Sequence, residues 1–113
     1  MTIRDAIQIT GATLLTENVE LDREISCGYA CDLLSWVMSH GEADMIWITV
    51  QTHMNAVAVA SLADMSCILV PENIQVEPAI CEKAQDEGIA ILASDKSAYE
   101  LSGLLFGAGV RPR

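Results

Sequence analysis

The side chains here with the widest chemistry are four cysteines, Cys27, Cys31, Cys67 and Cys81, and two histidines, His40 and His53. Structural zinc and iron-sulfur sites draw ligands from C-x-x-C knuckles in glycine-rich loops, whereas Cys27 and Cys31 are separated by three residues and the other two stand alone. Cys67 falls in an apolar run and Cys81 in a helical stretch, so the spacing assigns no metal and leaves four free thiols. His40 precedes Gly41, where an imidazole complements the carboxyl end of a helix. His53 follows a strand-like run and has two readings, a helix cap or a ligand contact. Neither G-x-x-x-x-G-K-[ST] nor a G-x-G-x-x-G opening a helix occurs, so both common phosphate cradles are missing. Asp95 beside Lys96 reads as a charge pair at a helix start, and Gly103, Gly107 and Gly109 as close-packing and termination points. No catalytic residue and no cofactor is assigned.

Any site therefore has to come from the elements that carry these residues. Residues 45–71 read as a complete strand, helix, strand unit: apolar runs at 45–50 and 67–70 flank an alanine- and valine-rich helix at 53–64. Strands so uniformly apolar belong in a sheet covered on both faces. Around this unit the pattern predicts a helix over 2–10 ended by Gly11, strands at 12–16 and 25–29, and an acidic connection at 17–24. It further predicts an amphipathic helix over 32–40 with Asp32 as its N-cap and Leu33, Leu34, Val37 and Met38 along one side. A helix opening at Pro78 and ending at Gly88, a strand at 89–93 and a helix opened by a Ser97–Glu100 capping box complete the order; residues 110–113 read as a frayed tail. The sum is one α/β domain, a three-layer sandwich with a mostly parallel or mixed five-stranded sheet. In such sheets small ligands sit beyond the carboxyl ends of the strands, and polar residues gather there. Asp32, Gln51, Thr52, His53, Asn55, Glu72 and Asn73 are accordingly the expected ligand-binding residues, lining one cleft.

The composition excludes some partners. Sixteen acids against six scattered bases give a net charge of −10, which repels a nucleic-acid backbone. No apolar run approaches the ~20 residues of a membrane span and the first residues lack the pattern of a signal peptide, so the expected compartment is the cytoplasm. The helix at 53–64 is apolar on two sides, with Met54, Val57, Ala58 and Leu62 on one and Ala56, Val59, Ala60 and Ala63 on the other. One side can meet the sheet; the other predicts a homodimer through this helix or its neighbour.

Taken together, Asp32-Leu33-Leu34-Ser35 within the G-x-x-x-D-L-L-S stretch that starts at Gly28, residues 49–60 and residues 67–73 resemble the DRTGG domain. That family is related to the N-terminal regulatory domain of HPr kinase/phosphorylase. The places of its Asp-Arg and Thr-Gly-Gly signatures are held here by Thr52-His53 and by Val70-Pro71-Glu72-Asn73, so both signature pieces are lost. The resemblance implies an HPr kinase N-terminal-domain-like fold and a non-catalytic domain, found alone or fused to kinase, phosphotransacetylase or CBS-containing pyrophosphatase modules. The function it implies is regulation or sensing, with a small metabolite or nucleotide as ligand. The alternative is a homodimeric accessory protein linked to a redox system, since stand-alone members are often encoded near iron-only hydrogenase subunits. A kinase activity is not expected, because phosphoryl transfer needs the nucleotide phosphates held in place.

Overall fold

The computed structural model describes residues 1–113. Five helices and five strands follow in the order α1 (Ile3–Thr10), β1 (Thr13–Leu14), β2 (Cys27–Ala30), α2 (Leu34–His40), β3 (Met45–Ile48), α3 (Met54–Leu62), β4 (Cys67–Val70), α4 (Pro78–Asp86), β5 (Ala90–Ala93) and α5 (Ala98–Gly107). The sheet order is β1-β5-β4-β3-β2. β2, β3, β4 and β5 run parallel, while β1 pairs antiparallel with β5 through Thr13↔Ala93 and Leu14↔Leu92. The sheet is thus mixed, with one short antiparallel edge.

Alternation along the strands divides the core in two. Met45, Trp47, Ile68, Val70 and Ile91 point to the layer that holds Val37 of α2, Val57 and Ala60 of α3 and Ala84 of α4. Ile46, Ile48, Cys67, Leu69 and Leu92 point to α1 and α5, meeting Ile3, Ala6, Leu101 and Leu105. Helices on both sides explain why β3 and β4 are buried at every position. Trp47 is fully buried, and its indole N–H donates to the Cys31 carbonyl at 2.8 Å, so its one polar atom costs nothing.

α3 lies in the middle of its layer, between α2 and α4. This accounts for its second apolar side without a second chain. Ala56 and Ala60 are buried inside the domain, and Ala63 packs against Gly41, where an added Cβ would come within 3.1 Å of it. Met54, Asn55, Ala58 and Leu62 are the members of the helix turned to solvent, and Leu62 is 81% exposed.

Several local expectations give way to other contacts. Asp32 does not cap α2: Leu33 occupies that position with no side-chain bond, and the Asp32 carboxylate is drawn to the next loop instead. α2 is only seven residues long, Val37 alone is buried on it, and Leu33 and Met38 stand in solvent. At α5 Ser97 accepts from the Glu100 amide but the reciprocal bond is absent, whereas the reciprocal box forms at α1 between Thr2 and Asp5. Gly103 and Gly107 have no atom within 4 Å of an added Cβ, so they are not close-packing points. Residues 110–113 are not frayed. Val110 is buried, the Gly28 amide donates to the Arg111 carbonyl, Pro112 bridges to Gly28, and Arg113 lies over the Tyr29 ring while pairing with Glu42.

At the amino ends of the parallel strands one side chain ties three segments. The Arg23 guanidinium donates to Asp44 Oδ1 at 3.0 Å and to the Asp64 carbonyl and carboxylate, just ahead of β3 and β4. Asp44 and Asp64 both hold left-handed backbone, as short polar side chains can. Burial lowers the guanidinium's proton affinity, but the bonds to Asp44 and Asp64 outweigh it and leave the group raised above its ordinary value.

Candidate functional site

At the opposite, carboxyl edge of the parallel strands, four loops lead out of β2, β3, β4 and β5. The loops after β2 and β3 are knitted together. Asp32 Oδ1 accepts from the Thr49 hydroxyl at 2.8 Å and from the Val50 amide at 2.9 Å. Gln51 Nε2 donates to the Asp32 carbonyl, and the Gln51 amide donates back to Thr49 Oγ1. Asp32 and Gln51 thus lie together, the Gln51 side chain on the Asp32 carbonyl and the Asp32 carboxylate on the Thr49 hydroxyl and the Val50 amide.

Gln51, Thr52 and His53 border an apolar void of about 10 Å³ walled by Val57, Ile68, Val76 and Ile80. That is too small for a ligand. His53 resolves as a helix cap: its Nδ1 accepts from the Asn55 amide at 3.1 Å, and Asn55 stands exposed on the first turn of α3.

The loop after β4 is unusual. Glu72 and Asn73 are consecutive residues with left-handed backbone, at φ 66° and 54°, and neither is glycine. Their amides are held by the next loop, Glu72 donating to the Lys96 carbonyl and Asn73 to the Ser94 carbonyl, both at 2.9 Å. The Lys96 ammonium reaches the Thr10 carbonyl at the end of α1, a cation where the helix leaves its carbonyls unpaired. Lys96 is therefore a clamp between α1 and the loop after β5 rather than a partner for Asp95.

Asn73 lines a cavity of about 410 Å³ with Gly11, Thr13, Gln75, Ser94 and Asp95, a volume suited to a small ligand. A second groove of about 360 Å³ continues past Leu15 and Val76 to Cys81, Glu82 and Gln85. The expected residues therefore divide. Asn73 faces the large cavity, Gln51, Thr52 and His53 face the small void, and Asp32, Asn55 and Glu72 border neither. Thr13 and Gln75 were not legible as site residues. Thr13 reaches the site because β1 runs antiparallel to β5, which sets its start beside the end of β5.

The lining of the large cavity offers hydroxyl, amide and carboxylate groups and no lysine or arginine. It can hydrogen-bond a neutral or cationic ligand, and it presents no base to neutralise a phosphate. No trio of His, Cys, Asp or Glu side chains comes together to hold a metal. Burial pushes the Cys67 thiol up to about 12, which removes its nucleophilic character. Burial also raises Cys81. No helix is long and apolar enough to cross a membrane.

No protein-family model matches the sequence, and no curated protein matches it. Among solved structures, one similar chain comprises the CBS and DRTGG domains of the regulatory region of Clostridium perfringens pyrophosphatase, complexed with its activator diadenosine tetraphosphate. The TM-score is 0.70 at 12% identity, over 92% of this chain and 45% of that one. This chain thus spans less than half the length of that regulatory region, and what the two share is the α/β fold of a CBS- and DRTGG-containing assembly.

Proposed function

We propose that the chain is a non-catalytic regulatory domain that binds a small metabolite or a nucleotide at the carboxyl ends of its strands, and that it is kin to the N-terminal domain of HPr kinase. The observation that carries this reading is the cavity of about 410 Å³ at the end of β5, lined by Asn73, the second residue of the left-handed Glu72-Asn73 pair. Left-handed backbone at two adjacent non-glycine residues is costly, and such strain clusters at ligand clamps. The similar pyrophosphatase region, a regulatory segment in complex with a dinucleotide activator, supports the same reading. The lining, with hydroxyls, amides and the single carboxylate of Asp95, favours recognition through a base, ribose or amine, with any phosphates left in solvent.

A thermal-shift screen with nucleosides, nucleotides, dinucleoside polyphosphates and central metabolites tests it. A compound at a hundredfold excess over its dissociation constant stabilises by about 2.7 kcal/mol, a shift of roughly 10 °C for a domain of this size. The shift should vanish in Asp95→Ala, an exposed residue whose loss leaves the fold intact. Silence across the panel would favour the accessory-protein reading.

A further inference from the structure

We propose that Lys96 is the positioning residue of the large cavity, holding three of its lining segments at a fixed spacing; this rests on the reading of that cavity as the ligand site. The segments come from separate parts of the chain: Gly11 at the end of α1, Asn73 after β4, and Ser94 with Asp95 after β5. The Lys96 ammonium lies just behind Gly11, where an added Cβ would come 3.8 Å from Nζ. Nζ donates at 3.1 Å to the carbonyl of Thr10, the residue ahead of Gly11. The Lys96 carbonyl accepts at 2.9 Å from the amide of Glu72, the residue ahead of Asn73, and the Lys96 amide donates to Ser94 Oγ at 3.1 Å. One residue thus reaches all three segments.

Its choice of partner sets this lysine apart from a solvated surface cation. Arg4, Arg23, Lys83 and Arg113 all pair with carboxylates, whereas Lys96 makes no ion pair in a chain with sixteen acids, Asp95 beside it included. A half-buried lysine gives up much rotamer freedom, and here it does so for a carbonyl at a helix end. The bonds it anchors have their own task. Glu72 and Asn73 hold left-handed backbone, which persists only where the surroundings over-determine it, and their amides are held by the carbonyls of Lys96 and Ser94. Without the ammonium the turn at 94–96 loses its tie to α1, the left-handed pair is free to relax, and Asn73 moves away from Ser94 and Asp95. Ligand affinity and the Lys96–Thr10 bond are therefore linked, each strengthening the other.

The test compares Lys96→Met, which keeps the apolar stem and removes the charge, with Lys96→Arg, whose guanidinium can still donate to the Thr10 carbonyl. Amide hydrogen exchange is followed by NMR on the free chain. In Lys96→Met the Glu72 and Asn73 amides should exchange roughly tenfold faster or more, while the amide of the buried Ser66, bonded to the Met45 carbonyl at the opposite edge of the sheet, changes far less; Lys96→Arg should restore protection. A clamp that served only global stability would speed all three amides together. Adenosine titrated by calorimetry is the second arm, and its dissociation constant should rise about tenfold in Lys96→Met and recover in Lys96→Arg. Unchanged exchange at Glu72 and Asn73, an equal acceleration at Ser66, or adenosine binding of the same strength in wild type and Lys96→Met would each overturn the proposal. Faster exchange confined to Glu72 and Asn73 in a chain that binds no adenosine would uphold Lys96 as the spacer of the cavity and count against the ligand reading.

Discussion

The Thr49 hydroxyl stands 2.8 Å from Asp32 Oδ1, and the same oxygen takes the Val50 amide at 2.9 Å, so one carboxylate fixes the exit of the central strand. Asp32→Ala removes the acceptor of the buried Thr49 hydroxyl proton and of the Val50 amide, of which the second, at an exposed residue, can turn to water. The expected loss is about 1.5–3 kcal/mol in urea unfolding. Unchanged stability combined with lost ligand binding would assign Asp32 to the ligand instead.

Gly41 and Gly103 should respond with opposite signs. A Cβ on Gly41 would come 2.7 Å from Met65 Cε, 3.0 Å from the Val37 carbonyl and 3.1 Å from Ala63, forcing α2 away from α3. Gly41→Ala should cost about 1–3 kcal/mol. Gly103 lies within α5 with open space around it, and Gly103→Ala should gain roughly 0.5–1 kcal/mol. Two melting curves beside the wild type decide the matter.

Glu72→Gly should raise stability. Left-handed backbone costs a residue with a Cβ about 1–2 kcal/mol, partly offset by the greater freedom glycine has when unfolded, for a net gain of roughly 0.5–1 kcal/mol. A loss would mean that the glutamate side chain holds the turn through a contact in solution.

Thiol reactivity should separate the cysteines in pairs. Cys27 and Cys67 are buried, Cys31 and Cys81 partly exposed. A small alkylating reagent should label Cys31 and Cys81 in the native chain, with the other two following only in denaturant; mass spectrometry reads the order. Because the folded Cys67 thiol is raised to about 12 from 9.0, the unfolded chain gives up its proton first as pH climbs. The stability held through this thiol is complete below about pH 9 and declines toward pH 12. Cys67→Ala should flatten that alkaline decline, and an unaltered slope would assign it to other groups.

The apolar runs at 45–50 and 67–70 and the stops at Gly11 and Gly88 made the layered architecture readable, because strand burial and helix termination are local in sequence. The outcome at Asp32 was not, since capping α2 and bonding Thr49 satisfy the same carboxylate, and only the spacing of β2 from β3 decides between them. The alanine strip on α3 could be seen, but its neighbours α2 and α4 could not. For the site, Asn73 was legible from its place after β4, while Thr13 depended on the antiparallel direction of β1, which a two-residue strand does not signal.

The short segment from Val110 to Arg113 has a bearing on how the protein behaves when concentrated. An open strand edge is a template on which further chains can add, and a chain with 51% hydrophobic residues is exposed to that hazard. One edge of this sheet is only the two residues of β1, too short to recruit a strand, and the other is stoppered by the bond from Gly28 to Arg111 and the proline that follows. Resistance to fibre growth thus rests on four residues, and clipping them should turn a clear solution cloudy before it unfolds the domain.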